Sequence, residues 1–258
     1  MEKLEYIKEL NEESIKLVEN NYNLKIIGVW QQFIGADTNT FVYKIKSKNK
    51  EYFLKIRTGI FNGSSAIIPY LLSQYNVKHI IEPIKTINEE LFCKTEKYTV
   101  ILYPFINGKS GFNTDLTKEQ WIEFGKTLHQ IHNFEISNKL HNILFENYDN
   151  KWRKKLKKYI DMLNKVKIKN VFEKEFVEII QSKKDIINKM IFRIEDIIQQ
   201  MEKMEKTNCL CHGDIHAGNI LLTDNNFYIV DWDTLIIAPK ERDLMFIGAG
   251  IGNKWKKN

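Results

Sequence analysis

Cysteine is scarce in this 258-residue chain, which carries three: Cys93, Cys209 and Cys211. Three thiols cannot make a fully paired disulfide framework, and a zinc site would ordinarily need further Cys or His ligands at a characteristic spacing. All three therefore read as reduced thiols. Long hydrophobic runs are missing as well, since no apolar stretch approaches the roughly 20 residues that span a bilayer. The first ten residues carry Glu2, Lys3, Glu5, Lys8 and Glu9 in place of an apolar secretory segment. A cytoplasmic address and no membrane partner are expected. Glycine (12) and proline (4) are sparse and scattered, so no low-complexity tract and no internal repeat stands out.

What is present is a globular composition, 43% hydrophobic and 28% charged, enough for one large unit or two small lobes. The formal charge of +6 suits nucleic acid, anionic lipid or polyphosphate equally and decides nothing alone. The densest basic run, Lys151, Arg153, Lys154, Lys155, Lys157 and Lys158, interleaves with Trp152, Leu156, Tyr159, Ile160 and Leu163 at helical spacing. It reads as an amphipathic helix with a solvated basic face, and no nucleic-acid partner is expected.

From Leu24 to Phe105 the chain is rich in β-branched and aromatic residues broken by polar turns. The pattern predicts strands at Lys25–Ile34, Thr40–Ser47 and Glu51–Arg57, the last two joined as a hairpin through Ser47–Lys50. A short helix at Ser65–Tyr75 and strands at Ile80–Ile87, Leu91–Thr95 and Tyr98–Phe105 follow. From Thr117 the period changes to three and four, with Trp121, Phe124, Leu128 and Ile131 on one face and Thr117 and Gln120 set as a capping box. A stripe of Ile186, Ile187, Met190, Ile191, Ile194, Ile197, Ile198 and Met201 marks a long amphipathic helix whose apolar face reads as core. Tyr103–Gly108, with its Pro and Gly, is the linker candidate. The reading is an α+β chain of two lobes: a strand-rich N-terminal lobe over residues 1–105 and a mainly helical lobe over 106–258.

The chemistry concentrates in Cys209-Leu210-Cys211-His212-Gly213-Asp214-Ile215-His216-Ala217-Gly218-Asn219-Ile220 and in Ile229-Val230-Asp231-Trp232-Asp233. Apolar flanks place the acidic and amide groups on loops that can converge on one cleft. Phosphoryl transfer asks for a carboxylate beside the attacking hydroxyl and oxygen ligands that hold magnesium against the phosphates. Asp214, Asn219 and Asp231 supply that set, with Asp233 a weaker candidate. The spacing His-x-Asp-x4-Asn, followed by an Asp after a short hairpin, is that of protein-kinase-like catalytic loops.

These two segments resemble the aminoglycoside phosphotransferase family, and Ala238–Phe246 with Tyr103-Pro104-Phe105-Ile106 resemble its spectinomycin phosphotransferase branch. The resemblance implies a two-lobed protein-kinase-like fold and an ATP-dependent, magnesium-dependent transfer to a hydroxyl of a small, cationic molecule. An aminocyclitol or aminoglycoside such as spectinomycin is the favoured acceptor. A metabolic alcohol of the choline, homoserine, methylthioribose or fructosamine type is the alternative acceptor, GTP the alternative donor, and a silent nucleotide-binding relative the alternative class.

Carried over by position, Asp214 is the catalytic base or orienting group, and Asn219 and Asp231 are the magnesium ligands. Lys55 would contact the nucleotide phosphates, and Gly35, Asp37, Thr38 and Asn39 would form the loop over them. That loop has one glycine, so its assignment rests on the resemblance and not on a glycine motif. The linker around Tyr103 to Ile106, with Tyr103 and Phe105, would hold the adenine through backbone hydrogen bonds. His212 is expected to pack beneath the catalytic loop, and His216 either faces substrate or serves the turn. Two departures stand out. No Asp or Glu lies between Lys55 and Glu82, so the acidic partner that kinases use for this lysine is absent. The chain also ends fifteen residues after Asp243, shorter than the family pattern, so a C-terminal truncation is expected; a monomer or homodimer is the expected assembly.

Overall fold

The computed structural model describes residues 12–32, 39–48, 50–135, 143–163, 165 and 167–249. The chain forms two compact units: Met1–Leu144 together with Asn208–Asn258, and Phe145–Thr207. Gly35, Asp37 and Thr38, expected to cover the phosphates, lie outside the described residues.

In the first unit, helix α1 (Glu12–Tyr22) precedes strands β1 (Gly28–Gln32), β2 (Thr40–Ser47) and β3 (Lys50–Thr58), then helix α2 (Ser64–Gln74), β4 (Cys93–Lys94) and β5 (Tyr98–Pro104). These strands make one sheet in the order β1-β2-β3-β5-β4, with every pair antiparallel. The expected hairpin is present, with Ser47 opposite Lys50 across the turn. Period-two alternation turns Tyr43, Ile45, Leu54, Ile56, Val100 and Leu102 toward α1, where they pack with Val18. Lys55 then points to the opposite face from the centre of the sheet, opposite Val42 on one side and Ile101 on the other.

One expected strand does not form. The segment Ile80–Ile87 makes no ladder: Ile80 forms a parallel bridge to Ile229, the Ile84 amide bonds the Leu102 carbonyl at 2.7 Å, and the Ile87 amide bonds the Asn21 carbonyl at 2.8 Å. Pro83 removes a donor in its middle, which disfavours a ladder. β1 is also shorter than expected, beginning at Gly28 rather than Lys25.

After β5 come β6 (Lys109–Ser110), α3 (Lys118–His132), the short β7 (Leu144–Phe145), and then β8 (Asn208–Cys211), β9 (Ile220–Leu222), β10 (Phe227–Ile229), β11 (Ile236–Pro239) and α7 (Glu241–Ala249). The Thr117 hydroxyl accepts from the Gln120 amide at 3.2 Å, and the Gln120 side chain accepts from the Thr117 amide at 2.9 Å, which completes the expected box. Antiparallel β9 and β10, and antiparallel β8 and β11, place two loops side by side. Beneath them lies a core of Ile68, Leu72, Phe124, Leu128, Ile131, Leu210, Ile220, Phe227 and Ile229. Phe124 is its aromatic centre, edge-on to Trp121 at 5.7 Å and to Phe227 at 5.9 Å between centroids.

The second unit holds α4 (Lys151–Leu163), α5 (Val171–Ser182) and α6 (Lys184–Glu202). The amphipathic helices are where the periodicity predicts them, but the stripe on α6 is not core as expected: Ile191 is buried while Ile186, Met190, Ile194 and Ile197 are exposed. Three helices of this length enclose too little volume to cover whole apolar faces. Among the described residues no helix is long and apolar enough to cross a membrane.

Phe124→Ala leaves a cavity where α3 meets the β8–β10 strands and should cost about 3–5 kcal/mol, against about 1 kcal/mol for removal of the cap in Thr117→Ala. Urea unfolding of both variants measures the contrast; comparable losses would mean that α3 is held by its cap and not by its core face.

Candidate active site

The two acidic loops are stitched together by bonds onto their backbone carbonyls. His212 is fully buried, its Nε2 donating to the Val230 carbonyl at 3.0 Å and its ring 4.7 Å from that of Trp232. Burial holds His212 below the usual imidazole range in spite of the negative charges of Asp243, Asp231 and Asp214. It is a neutral packing group, as its place in the sequence pattern suggests. The Thr234 hydroxyl donates to the His212 carbonyl at 3.1 Å, and the Val230 amide to the Asn219 carbonyl at 3.0 Å. Gly213 sits at φ +84, where a Cβ would also drive into the Thr234 carbonyl, so only glycine fits the crossing of the loops.

A residue outside the expected set fixes this crossing. Asp243, in the first turn of α7, is completely buried. Its Oδ2 accepts from the His212 amide at 3.0 Å and its Oδ1 from the Gly213 amide at 2.8 Å. His132, at the end of α3, adds its Nε2 at 3.0 Å to Oδ2. Sequence places Asp243 in a recognisable segment; its role depends on a buried geometry that no local pattern carries.

Asp214 leaves this anchored turn with its side chain 37% exposed. The Asn219 amide nitrogen donates to the Asp214 carbonyl at 2.9 Å and approaches its Oδ2 at 3.4 Å, which leaves the Asn219 amide oxygen to face elsewhere. His216 serves the turn, its Nδ1 accepting from the Gly218 amide at 2.9 Å, and its Nε2 lies 3.5 Å from Asp214 Oδ2. The ring stacks on Phe112 at 5.7 Å and meets Phe246 edge-on at 6.0 Å, an aromatic wall beside Asp214 that sequence reading missed.

Lys55 joins the sheet to the second loop. Its Nζ lies 3.0 Å from Asp231 Oδ1 and 2.7 Å from Asp233 Oδ2, and Arg57 Nη1 lies 3.0 Å from that same Asp233 oxygen. The partner missing from α2 is thus replaced by two carboxylates from the loop after β10. Two cations and two anions balance, which is the condition for burying Lys55 almost completely. Burial opposes charge on Asp231, but the Lys55 ammonium, through its field and its hydrogen bond, overrides that and holds the carboxyl below its usual value. Asp231 has φ +66, a left-handed conformation unusual for a side chain with a Cβ and typical of functional turns.

Of the residues expected to hold the nucleotide, Lys55 is brought to the acidic loops. Tyr103 lies near them, since burial and then the charges of Asp233 and Asp231 push its phenol far above its usual range. Phe105 stands at the end of β5, its amide bonded to the Glu51 carbonyl at 3.3 Å and its ring 4.4 Å beneath Lys44 Nζ. Asn39 is the described end of the phosphate-loop candidate, its carbonyl accepting from the Thr58 amide at 2.9 Å.

A model of the phosphotransferase enzyme family, APH, matches residues 82–255. Among solved structures, spectinomycin phosphotransferase in complex with ADP and spectinomycin superposes with a TM-score of 0.85 at 33% identity, over 95% of this chain and 75% of that one. The same enzyme with AMP gives 0.80 at 33% identity, over 95% and 77%. An aminoglycoside phosphotransferase from Alicyclobacillus acidocaldarius shares the fold at 0.59 and 18% identity, over 92% and 70%. Comparison with curated proteins gives no match.

Asp243→Asn keeps the shape but turns an NH2 group toward one of two buried amide donors, and should cost on the order of 3 kcal/mol in urea unfolding. A loss within about 0.5 kcal/mol, the scatter of ordinary surface changes, would mean that the loop crossing is held by other contacts.

Proposed function

Because the chain belongs to the phosphotransferase enzyme family and is a small-molecule kinase of α+β, kinase-like fold, we propose that it transfers the terminal phosphoryl group of ATP to a hydroxyl of a spectinomycin-like aminocyclitol. The observation that carries the reading is the meeting of Lys55 with Asp231 at 3.0 Å beside the loop that ties Asp214 to Asn219. In this reading residues 1–105 hold the nucleotide and residues 106–258 carry the catalytic loop and the acceptor site.

The residues fit magnesium. Asn219 spends its NH2 group on Asp214, so its amide oxygen is the atom offered to a cation, and the carboxylate of Asp231 adds a second oxygen. An all-oxygen donor set suits a hard cation. Magnesium, when bound, supplies neutralisation of the phosphate charge. Asp214, half-exposed and held by Asn219, accepts the proton of the attacking hydroxyl or orients that hydroxyl toward the phosphate. Lys55 exchanges its carboxylate partners for phosphate oxygens, and Asp233 remains paired with Arg57. Phe112, His216 and Phe246 offer the acceptor a flat wall next to Asp214. The 33% identity with spectinomycin phosphotransferase supports the aminocyclitol acceptor.

The test is ADP release with magnesium and ATP across aminocyclitols, aminoglycosides and small metabolic alcohols. Release with spectinomycin is the expected result, with kcat lower by about 10²-fold or more for Asp214→Asn at unchanged circular dichroism, and a comparable fall for Asp231→Ala. Activity confined to choline, homoserine, methylthioribose or fructosamine would remove the aminocyclitol, and full turnover by Asp214→Asn would remove the mechanism.

A further inference from the structure

Behind the catalytic loop, away from Asp214, a second group of chemically able side chains meets. Cys209 and Cys211 are two apart on β8, so their side chains leave the same face of the strand. Their sulfurs are 3.8 Å apart. His132, from the end of α3, brings a ring nitrogen to them, so that the three ligand atoms all lie within 4.8 Å of one another. We propose that His132, Cys209 and Cys211 form a binding site for one thiophilic divalent cation, zinc in the first place, at the foot of the catalytic loop.

The distances suit such an ion. Two thiolates at about 2.3 Å from a tetrahedral zinc stand about 3.8 Å apart, which is the separation found without any rearrangement of β8. The strand fixes that separation, so only the imidazole must close in. Two cysteines and one histidine are a zinc set that leaves a fourth position for water or another ligand. Binding would release two thiol protons to solvent, and the two thiolates would neutralise the dication, so no net charge is buried.

Two features of the surroundings favour it and one opposes it. Each thiol donates only weak S–H bonds, Cys209 to the Ala238 carbonyl at 3.5 Å and Cys211 to the Ala238 and Pro239 carbonyls at 3.6 Å. Burial holds both thiols above their usual range, and these carbonyl oxygens face the sulfurs, so the protons leave only as the cation takes their place. Asp243 already holds His132 through Nε2 at 3.0 Å, the carboxylate support that ligating histidines ordinarily have. His132 also lies in the last turn of α3, where the helix dipole favours positive charge. Sequence inspection counted the two β8 thiols and found no third ligand at a local spacing, because His132 arrives from another element.

The site is not the proposed magnesium position. Sulfur and imidazole ligands select soft or borderline ions, and the oxygens of Asn219 and Asp231 select hard ones. The two sites are linked through β8, which runs directly into the loop, and through Asp243, whose Oδ2 bonds both His132 and the His212 amide. An ion bound by His132, Cys209 and Cys211 would thereby brace the strand that enters the loop.

Chelator-treated, reduced protein titrated with cobalt alone provides the test. One equivalent should produce a thiolate-to-cobalt charge-transfer band with visible absorption of tetrahedral strength, and one equivalent of zinc should abolish both. Cys209→Ala should remove the band, His132→Gln should weaken binding by more than the roughly 10-fold to 100-fold that loss of an outer-shell partner costs, and Cys93→Ala should leave the band in place. Should Cys209→Ala fail to fold, the unaltered protein still decides the matter, since zinc should slow the reaction of Cys209 with a thiol reagent. Absence of the charge-transfer band, a band that survives Cys209→Ala, or thiol reactivity indifferent to zinc would overturn the site. None of these readouts depends on phosphoryl transfer.

Discussion

One buried carboxylate holds the site in place. Asp243 has no exposed surface, and two of its three partners are consecutive backbone amides of the loop that carries Asp214. An ionised group in such a position is tolerable only when hydrogen bonds replace water around it. The same need fixes the loop, because His212 and Gly213 must present their N–H groups together, and that requires the positive φ of Gly213. The consequence runs outward to Asp214, which can be half-exposed and still well placed because the two residues before it cannot move. A helix after the last strand of the site thus determines where a carboxylate before it points.

Much of this architecture was legible because it obeys short-range rules. Alternation in Phe41, Tyr43 and Ile45 marks β2 to the residue, and Thr117 with Gln120 marks the start of α3. Where a rule was crossed by another constraint, the reading failed. The apolar run Ile80–Ile87 has strand composition, but Pro83 and a position against β5 and β10 leave it as a connector tied by single bonds. The stripe on α6 has the right period for a core face, yet period reports only amphipathicity, and burial depends on how much partner surface surrounds the helix.

For the site, spacing within one loop carried Asp214 and Asn219, and the short hairpin β9–β10 carried Asp231. What spacing cannot carry is any pairing between distant elements: Asp243 with His212, His132 with the β8 thiols, Arg57 with Asp233. Each joins groups whose separation in sequence is unrelated to their separation in space. Lys55 is intermediate. Its strand was recognisable, but its apparent defect, the missing acidic partner on α2, was a statement about one element when the partners belong to another.

That substitution changes what Lys55 does. A lysine anchored by a helix would be positioned independently of the metal-binding loop. Here Asp231 and Asp233 hold it, so the group proposed for phosphate and one of the two proposed for magnesium, Asp231, are tied before any nucleotide arrives. Arg57 shares the same Asp233 oxygen and keeps the set neutral. On the proposed reading, a triphosphate that brings its own negative charge draws Lys55 without stranding Asp233, because Arg57 remains. Asp231, the more exposed of the two carboxylates and the one held in a left-handed turn, would then be free to face the proposed cation. On that same reading the ion pair is a placeholder that keeps the charges of Lys55, Asp231 and Asp233 compensated until a ligand carrying both signs takes their place.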